Sequence, residues 1–283
     1  MRTIRICNIT LLTLLLFSLS SCTALFFQPQ SQHVLTPERL GLEYEDIYFN
    51  SIDGLTLHGW YLPAPASARG TVLFLHGNGE NISTHIAGIY WLPSRGYNVF
   101  IFDYRGYGRS EGIPDVEGAL ADVESALQTL VARTDIDSDR IVVLGQSLGG
   151  ALAISAVAQS PLRNHVRAVI SDSAFSSYRT IIREKMSDFF LTWPFQWVPW
   201  LTMDDKYSPV DTTPMLSPIP LLILHSEQDP IIPVHHATRL YESAREPKEL
   251  WILPAGAHIE ALTHKANQEK LVNYLERIMP APP

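Results

Sequence analysis

Apolar and polar residues come in blocks along this 283-residue chain, and the apolar blocks are of two lengths. Thr71–Leu75, Asn98–Phe102, Arg140–Leu144, Val166–Ile170, Leu221–Leu224 and Glu249–Leu253 are short, mostly apolar runs, each followed by a loop rich in Gly, Ser, Asp, His or Pro. Runs of this length without polar alternation mark strands buried on both faces. Longer helix-like segments, around Val116–Ala132, Ala151–Ala158 and Asn267–Met279, lie between or after them. Strands alternating with helices predict a mostly parallel, doubly wound sheet with chemistry at the carboxyl ends of its strands. Asp46–Asn50, Ser51–Gly54 and Leu55–Tyr61 read as a leading hairpin, with Pro63–Gly70 as the next loop. The stretch from Asp172 to Leu221 is too long for a simple connection, so a small helical cap is expected over about residues 175–216.

The first residues stand outside this pattern. Arg2 and Arg5 precede an apolar run, Ile9–Leu19, that is short for a membrane span and reads as a secretory leader. Leu19-Ser20-Ser21-Cys22 then resembles a bacterial lipoprotein signal, in which Cys22 is acylated and becomes the first mature residue; ordinary cleavage beside an incidental cysteine is the alternative. The expected division is a signal peptide over 1–21, a lipid anchor and tether over 22–45, and one globular domain over 46–283. Loss of the leader takes the formal charge from -8 to -10, since only Arg2 and Arg5 go with it. With no basic run anywhere, that charge argues against nucleic acid as a partner. Cys7 and Cys22 are the only cysteines, so the folded domain has neither a disulfide, nor a cysteine nucleophile, nor a Cys-based zinc site. The expected location is an exported protein held to a membrane, the outer one if the source is Gram-negative.

The chemistry centres on Gly145-Gln146-Ser147-Leu148-Gly149, between a strand-like and a helix-like run. That context lifts a serine hydroxyl clear of the backbone over a helix N-terminus, although a Gly-rich turn with a capping serine would look the same. A serine nucleophile needs a base, itself oriented by an acid, and on such a sheet the order is Ser, acid, His. Asp229 follows the run at 221–224 and His258 the run at 249–253, in that order. Asp172 is the rival acid; His235, His236 and His264 are rival bases. The backbone N–H groups of Leu148 and Asn78 are the expected oxyanion donors. Asn81 is placed to cap a helix from Ile82 onwards, His76 is expected to be structural, and Arg105 to pair locally.

With these motifs in hand the chain resembles the serine α/β-hydrolases, and within them the BEM46-like branch. The likeness rests on His76-Gly-Asn-Gly-Glu-Asn81, Asp103-Tyr-Arg-Gly-Tyr-Gly-Arg-Ser110 and the pentapeptide at 145–149, and it covers roughly residues 45 to 280. The resemblance implies an α/β-hydrolase fold, no cofactor and no metal, and catalytic roles for Ser147, Asp229 and His258. The expected activity is cleavage of a small acyl ester through an acyl-enzyme. A thioesterase or peptidase with the same triad is the near alternative, and a non-catalytic membrane-anchored interaction protein the distant one.

The expected cap is rich in aromatic residues. Trp193, Trp197 and Trp200 are three of the six tryptophans of the chain, and Pro194 and Pro199 break the helices between them. These rings are candidates for an acyl pocket, with core packing and docking on a membrane surface as the other readings.

Overall fold

The computed structural model describes residues 26–203 and 205–280, so the leader and Cys22 lie outside it. Eight strands form the central sheet: β1 Glu45–Asn50, β2 Thr56–Leu62, β3 Gly70–Leu75, β4 Tyr97–Asp103, β5 Ile141–Gln146, β6 Val166–Asp172, β7 Leu221–Ser226 and β8 Lys248–Leu253. Their order is β8-β7-β6-β5-β3-β4-β2-β1. Only the leading hairpin is antiparallel, β1 to β2 and β2 to β4; the other neighbours run parallel. The chain thus has the α/β-hydrolase fold, a mostly parallel sheet with helices around it.

Alternation across the pleat divides the core in two. Leu73, Leu75, Val143 and Val169 face α1 (Val116–Val131) and α2 (Leu148–Gln159). Val72, Phe74, Val142, Leu144 and Leu222 face the closing helix Lys265–Ile278 through Leu271 and Leu275. Helix α2 is buried on every side except at Gln159, which explains why Ala151–Ala158 shows no polar face. Helix α1 keeps a polar face and is capped by Asp115, whose carboxylate accepts the Gly118 N–H at 2.7 Å.

Strands β5, β6 and β7 run two residues past their apolar runs, into Gln146, Asp172 and Ser226. These polar ends are buried without loss because they bond each other and the loops above, Gln146 to Asp172 at 2.9 Å and Ser226 to the Gly256 carbonyl at 2.5 Å. Arg105 reaches further than local pairing: it joins Asp122 of α1 (2.7 Å) to Asp53 in the β1–β2 turn (2.8 Å).

Within the segment expected as a tether and a first irregular stretch, the first described residues pack onto the domain. Phe26 and Phe27 are buried, and Gln28–Pro29 pairs in parallel with Gly79–Glu80, because two adjacent rings outweigh the polar character of their neighbours. The Asp172–Leu221 connection holds α3 (Tyr178–Asp188), α4 (Val198–Thr202) and a one-turn helix at Pro209–Thr212. Its tryptophans do not pack into the domain: Trp193, Trp197 and Trp200 are each more than half exposed.

Candidate active site

The sheet order makes the site. Strands β5 and β3 are neighbours, with Leu75 opposite Gly145, so the loops leaving their carboxyl ends lie side by side where the sheet changes direction of winding. Ser147 leaves β5 at φ 54° and ψ -117°, a conformation rare outside glycine that costs about 1–3 kcal/mol. The turn closes only because its flanks have no side chains. A Cβ on Gly145 would stand 2.1 Å from the Gly149 carbonyl oxygen, and one on Gly149 would stand 2.1 Å from that of Leu75. Although Ser147 occupies the N-cap position of α2, its hydroxyl makes no capping bond. The hydroxyl is turned elsewhere.

Its partner is His258, whose Nε2 lies 2.9 Å from Ser147 Oγ. On the other side of the ring, Nδ1 lies 2.7 Å from Asp229 Oδ2. Ser147 follows β5, Asp229 follows β7 and His258 follows β8, so three loops leaving the same edge of the sheet converge. The second oxygen of Asp229 accepts the N–H groups of Ile231 (2.8 Å) and Ile232 (2.9 Å). Burial alone would raise the Asp229 carboxyl, but the His258 bond and these two amides outweigh it and hold it below its usual range. The result is a fixed carboxylate behind a histidine that faces a strained serine. Such a line can draw a proton from the hydroxyl and stabilise the imidazolium that forms.

Above Ser147 is a cavity of about 180 Å³, walled by Phe26, Phe175, Ile181, Ile182, Ile231 and Ile232. Asn78 and Leu148 complete its floor beside Ser147 and His258, and Lys185 of α3 stands at its side. Leu148 is the first residue of α2, where backbone N–H groups have no acceptor a turn back. The Asn78 carbonyl accepts both the Gln28 N–H (2.9 Å) and the Tyr107 hydroxyl (2.6 Å), which fixes the loop. Trp193, Trp197 and Trp200 line no part of this cavity; aliphatic side chains of α3 and of the loop after Asp229 form its walls with Phe26 and Phe175.

The rivals have other partners. Asp172 is wholly buried, bonded to Gln146 and Ser173, and burial raises its carboxyl despite those bonds. His264 is exposed at the start of the closing helix. His235 and His236 bond Glu184 of α3 at 3.1 and 3.0 Å, which ties that helix to α5 (His235–Ser243). His76 is buried, donates to the Gly77 carbonyl, and is pushed down to about 3 by burial. Asn81 caps its helix as expected, accepting the Ser83 N–H at 3.0 Å.

Sequence reasoning passed over Gln146. Its amide bonds Asp172 and also the Ile259 carbonyl at 3.2 Å, so it braces the loop that carries His258. A polar side chain at the end of an otherwise apolar strand was the available signal.

Two groups among the described residues bring metal-ligating atoms within 4.8 Å of one another: His33, His58 and Asp103, and Glu184, His235 and His236. In the second group the Ser176 N–H donates to His236 Nδ1 at 3.0 Å, so the ring proton sits on Nε2 and points at Glu184. That nitrogen has no lone pair to offer a cation.

Comparison with known proteins agrees with this architecture. Residues 66–217 match the family model described as serine aminopeptidase, S33. The Escherichia coli O157:H7 protein YfhR is 39% identical over 240 residues, covering 82% of this chain and 80% of YfhR. Protein bem46 of Schizosaccharomyces pombe is 30% identical over 218 residues, covering 74% of this chain and 68% of its own. Among solved structures, the Pyrococcus furiosus esterase Pf2001 superposes with a TM-score of 0.72 at 23% identity, covering 90% of this chain and 98% of the esterase.

Proposed function

Because the chain belongs to the α/β-hydrolase family described as serine aminopeptidase, S33, and to its BEM46-like branch, we propose that it cleaves carboxylic esters with Ser147 as nucleophile. The observation that carries this reading is the unbroken line Ser147–His258–Asp229 beneath an apolar cavity. Ser147 Oγ attacks the acyl carbon as His258 Nε2 takes its proton. The N–H groups of Asn78 and Leu148 hold the oxyanion, a contribution of ~3–4 kcal/mol per donor to the transition state. Collapse breaks the ester C–O bond, and His258 returns the proton to the departing alcohol. Water then repeats the sequence on the acyl-enzyme, releasing the acid and restoring Ser147. Asp229 keeps the histidine proton on Nδ1 throughout.

The cavity also bears on substrate. About 180 Å³ is small beside the ~300–1,000 Å³ of sites for larger ligands, which suits a short acyl group. An aminopeptidase must hold a cationic α-amine, yet among the described residues no carboxylate lines this cavity and its charged wall residue is the cation Lys185. Esters are therefore favoured over amino-terminal peptides. Purified protein should hydrolyse p-nitrophenyl acetate and butyrate faster than the aminoacyl p-nitroanilides. Faster cleavage of the anilides would reverse the assignment. For location, the proposal is an exported protein anchored by acylation of Cys22. Mass spectrometry of the membrane fraction should find that cysteine modified.

A further inference from the structure

One feature is used by neither the sheet nor the cavity. From Phe189 to Leu201 there are thirteen residues without a charge, in a chain that is 18% charged. Phe190 is 79% exposed, Trp193 62%, Trp197 57%, Trp200 57% and Leu201 76%. Single exposed apolar residues are ordinary on a protein surface, but a dense run of large rings is not. The segment is also held in place. The Thr192 hydroxyl donates to the Met186 carbonyl at 2.8 Å, and the Arg179 guanidinium lies 4.8 Å over the Trp200 ring while bonding the Met203 carbonyl. The rings face outward because Pro194 and Pro199 cut the segment into short pieces that cannot fold back as one helix.

What covers these rings follows from where the chain enters the fold. Phe26 packs edge-on against Tyr178, the first residue of α3, at 4.9 Å, and forms part of the cavity wall over Ser147. The aromatic run begins where α3 ends, a helix length of about 16 Å away. Cys22 is four residues before Phe26, a reach of at most about 14 Å. Acyl chains on Cys22 would hold a bilayer within about 14 Å of Phe26, beside the helix whose far end leads into the rings.

We propose that Phe189–Leu201 is a docking surface for a lipid bilayer. The inference goes beyond the ester-hydrolase reading and rests on its anchor at Cys22. Tryptophan favours the boundary between headgroups and acyl chains, and the segment has no charge to desolvate on entering it. A lipid anchor supplemented by such a surface holds more firmly than either alone.

Acylated full-length protein in dioleoylphosphatidylcholine vesicles, with and without dibrominated phosphatidylcholine, tests this. Trp60 and Trp91 are buried in the core and Trp251 packs on Tyr274 of the closing helix, whereas the three cap tryptophans are the ones this surface presents to brominated chains. Emission should fall by up to about half, since three of the six tryptophans face lipid. The fall should vanish in the combined Trp193→Ser, Trp197→Ser, Trp200→Ser variant while its circular dichroism and turnover of p-nitrophenyl acetate persist. Unchanged emission in brominated vesicles, with Cys22 shown to be acylated, overturns the proposal. So does a lipid-free dimer that shields these rings from acrylamide, which would make a second copy the occupant. The readout does not involve Ser147, so failure of docking and failure of hydrolysis are separately visible.

Discussion

Replacing Asp229 with Asn removes one charge and exchanges one acceptor for a donor, and the surrounding bonds decide which way the amide must face. Asp229 Oδ1 accepts two backbone amides, Ile231 and Ile232, while Oδ2 faces His258 Nδ1. If the asparagine oxygen turned to the histidine, its NH₂ would oppose two N–H groups, leaving two donors unsatisfied at about 1–3 kcal/mol each. The oxygen therefore stays on the amides and the NH₂ donates to His258 Nδ1. That drives the ring proton to Nε2, where it faces Ser147 and can accept nothing. A forced wrong tautomer of this kind costs about 10⁴-fold in kcat, equivalent to ~5.5 kcal/mol of barrier. Stability should change little, because both amides keep their acceptor. The assay is steady-state hydrolysis of p-nitrophenyl acetate beside thermal melting, with Asp172→Asn as the control. Asp172 bonds Gln146 and Ser173 rather than His258, so that variant should stay within about tenfold of the parent. Asp229→Asn retaining a tenth of parental turnover, or Asp172→Asn falling as far, would refute the reasoning.

Gly149→Ala should unfold the elbow, costing about 1–3 kcal/mol or more through the contact with the Leu75 carbonyl, whereas Gly79→Ala, which meets nothing within 4 Å, should not; equal melting temperatures would contradict this. Burial pushes His76 down to about 3 and His236 to about 4, against an ordinary value near 6.5. The unfolded chain thus binds more protons than the fold below about pH 6.5, and stability falls on acidification by ~1.4 kcal/mol per unit for each histidine until the folded values are reached. Urea midpoints should drop from pH 6.5 to 5 and drop less in His236→Gln; a flat midpoint would count against it. Ile182→Ala should enlarge the cavity and move the preferred p-nitrophenyl ester to a longer chain, at about fourfold per added methylene, while Trp197→Ala should leave the preference where it is. A shift in Trp197→Ala alone would return the rings to the pocket.

Much of this molecule is readable before folding because its strands are buried on both faces. A run such as Leu221–Leu224 can be little else when a Ser/Asp/His loop follows it, and the order of those loops along the chain matches their order on the sheet edge. The role of a strand end is harder to read, since Gln146 and Asp172 look like loop residues until each is seen to satisfy the other. Phe26 and Phe27 were masked by polar neighbours, and only tertiary packing against Phe175, Tyr178 and Tyr107 shows their use. The cap tryptophans invite a pocket reading because large rings usually find an interior. Here two prolines deny them the continuous helix that would carry them there, while the plainer Ile181, Ile182 and Ile231 line the cavity.

The central claim is that Ser147 is the nucleophile, and covalent labelling tests it most directly. A fluorophosphonate probe phosphonylates a serine hydroxyl only where a neighbouring base activates it and an oxyanion site receives the phosphoryl oxygen. Intact-protein mass spectrometry should show one adduct, and digestion should place it on the peptide carrying Ser147. Ser147→Ala should keep the melting temperature and lose the adduct. An adduct on any other serine, or undiminished labelling of Ser147→Ala, would contradict the account.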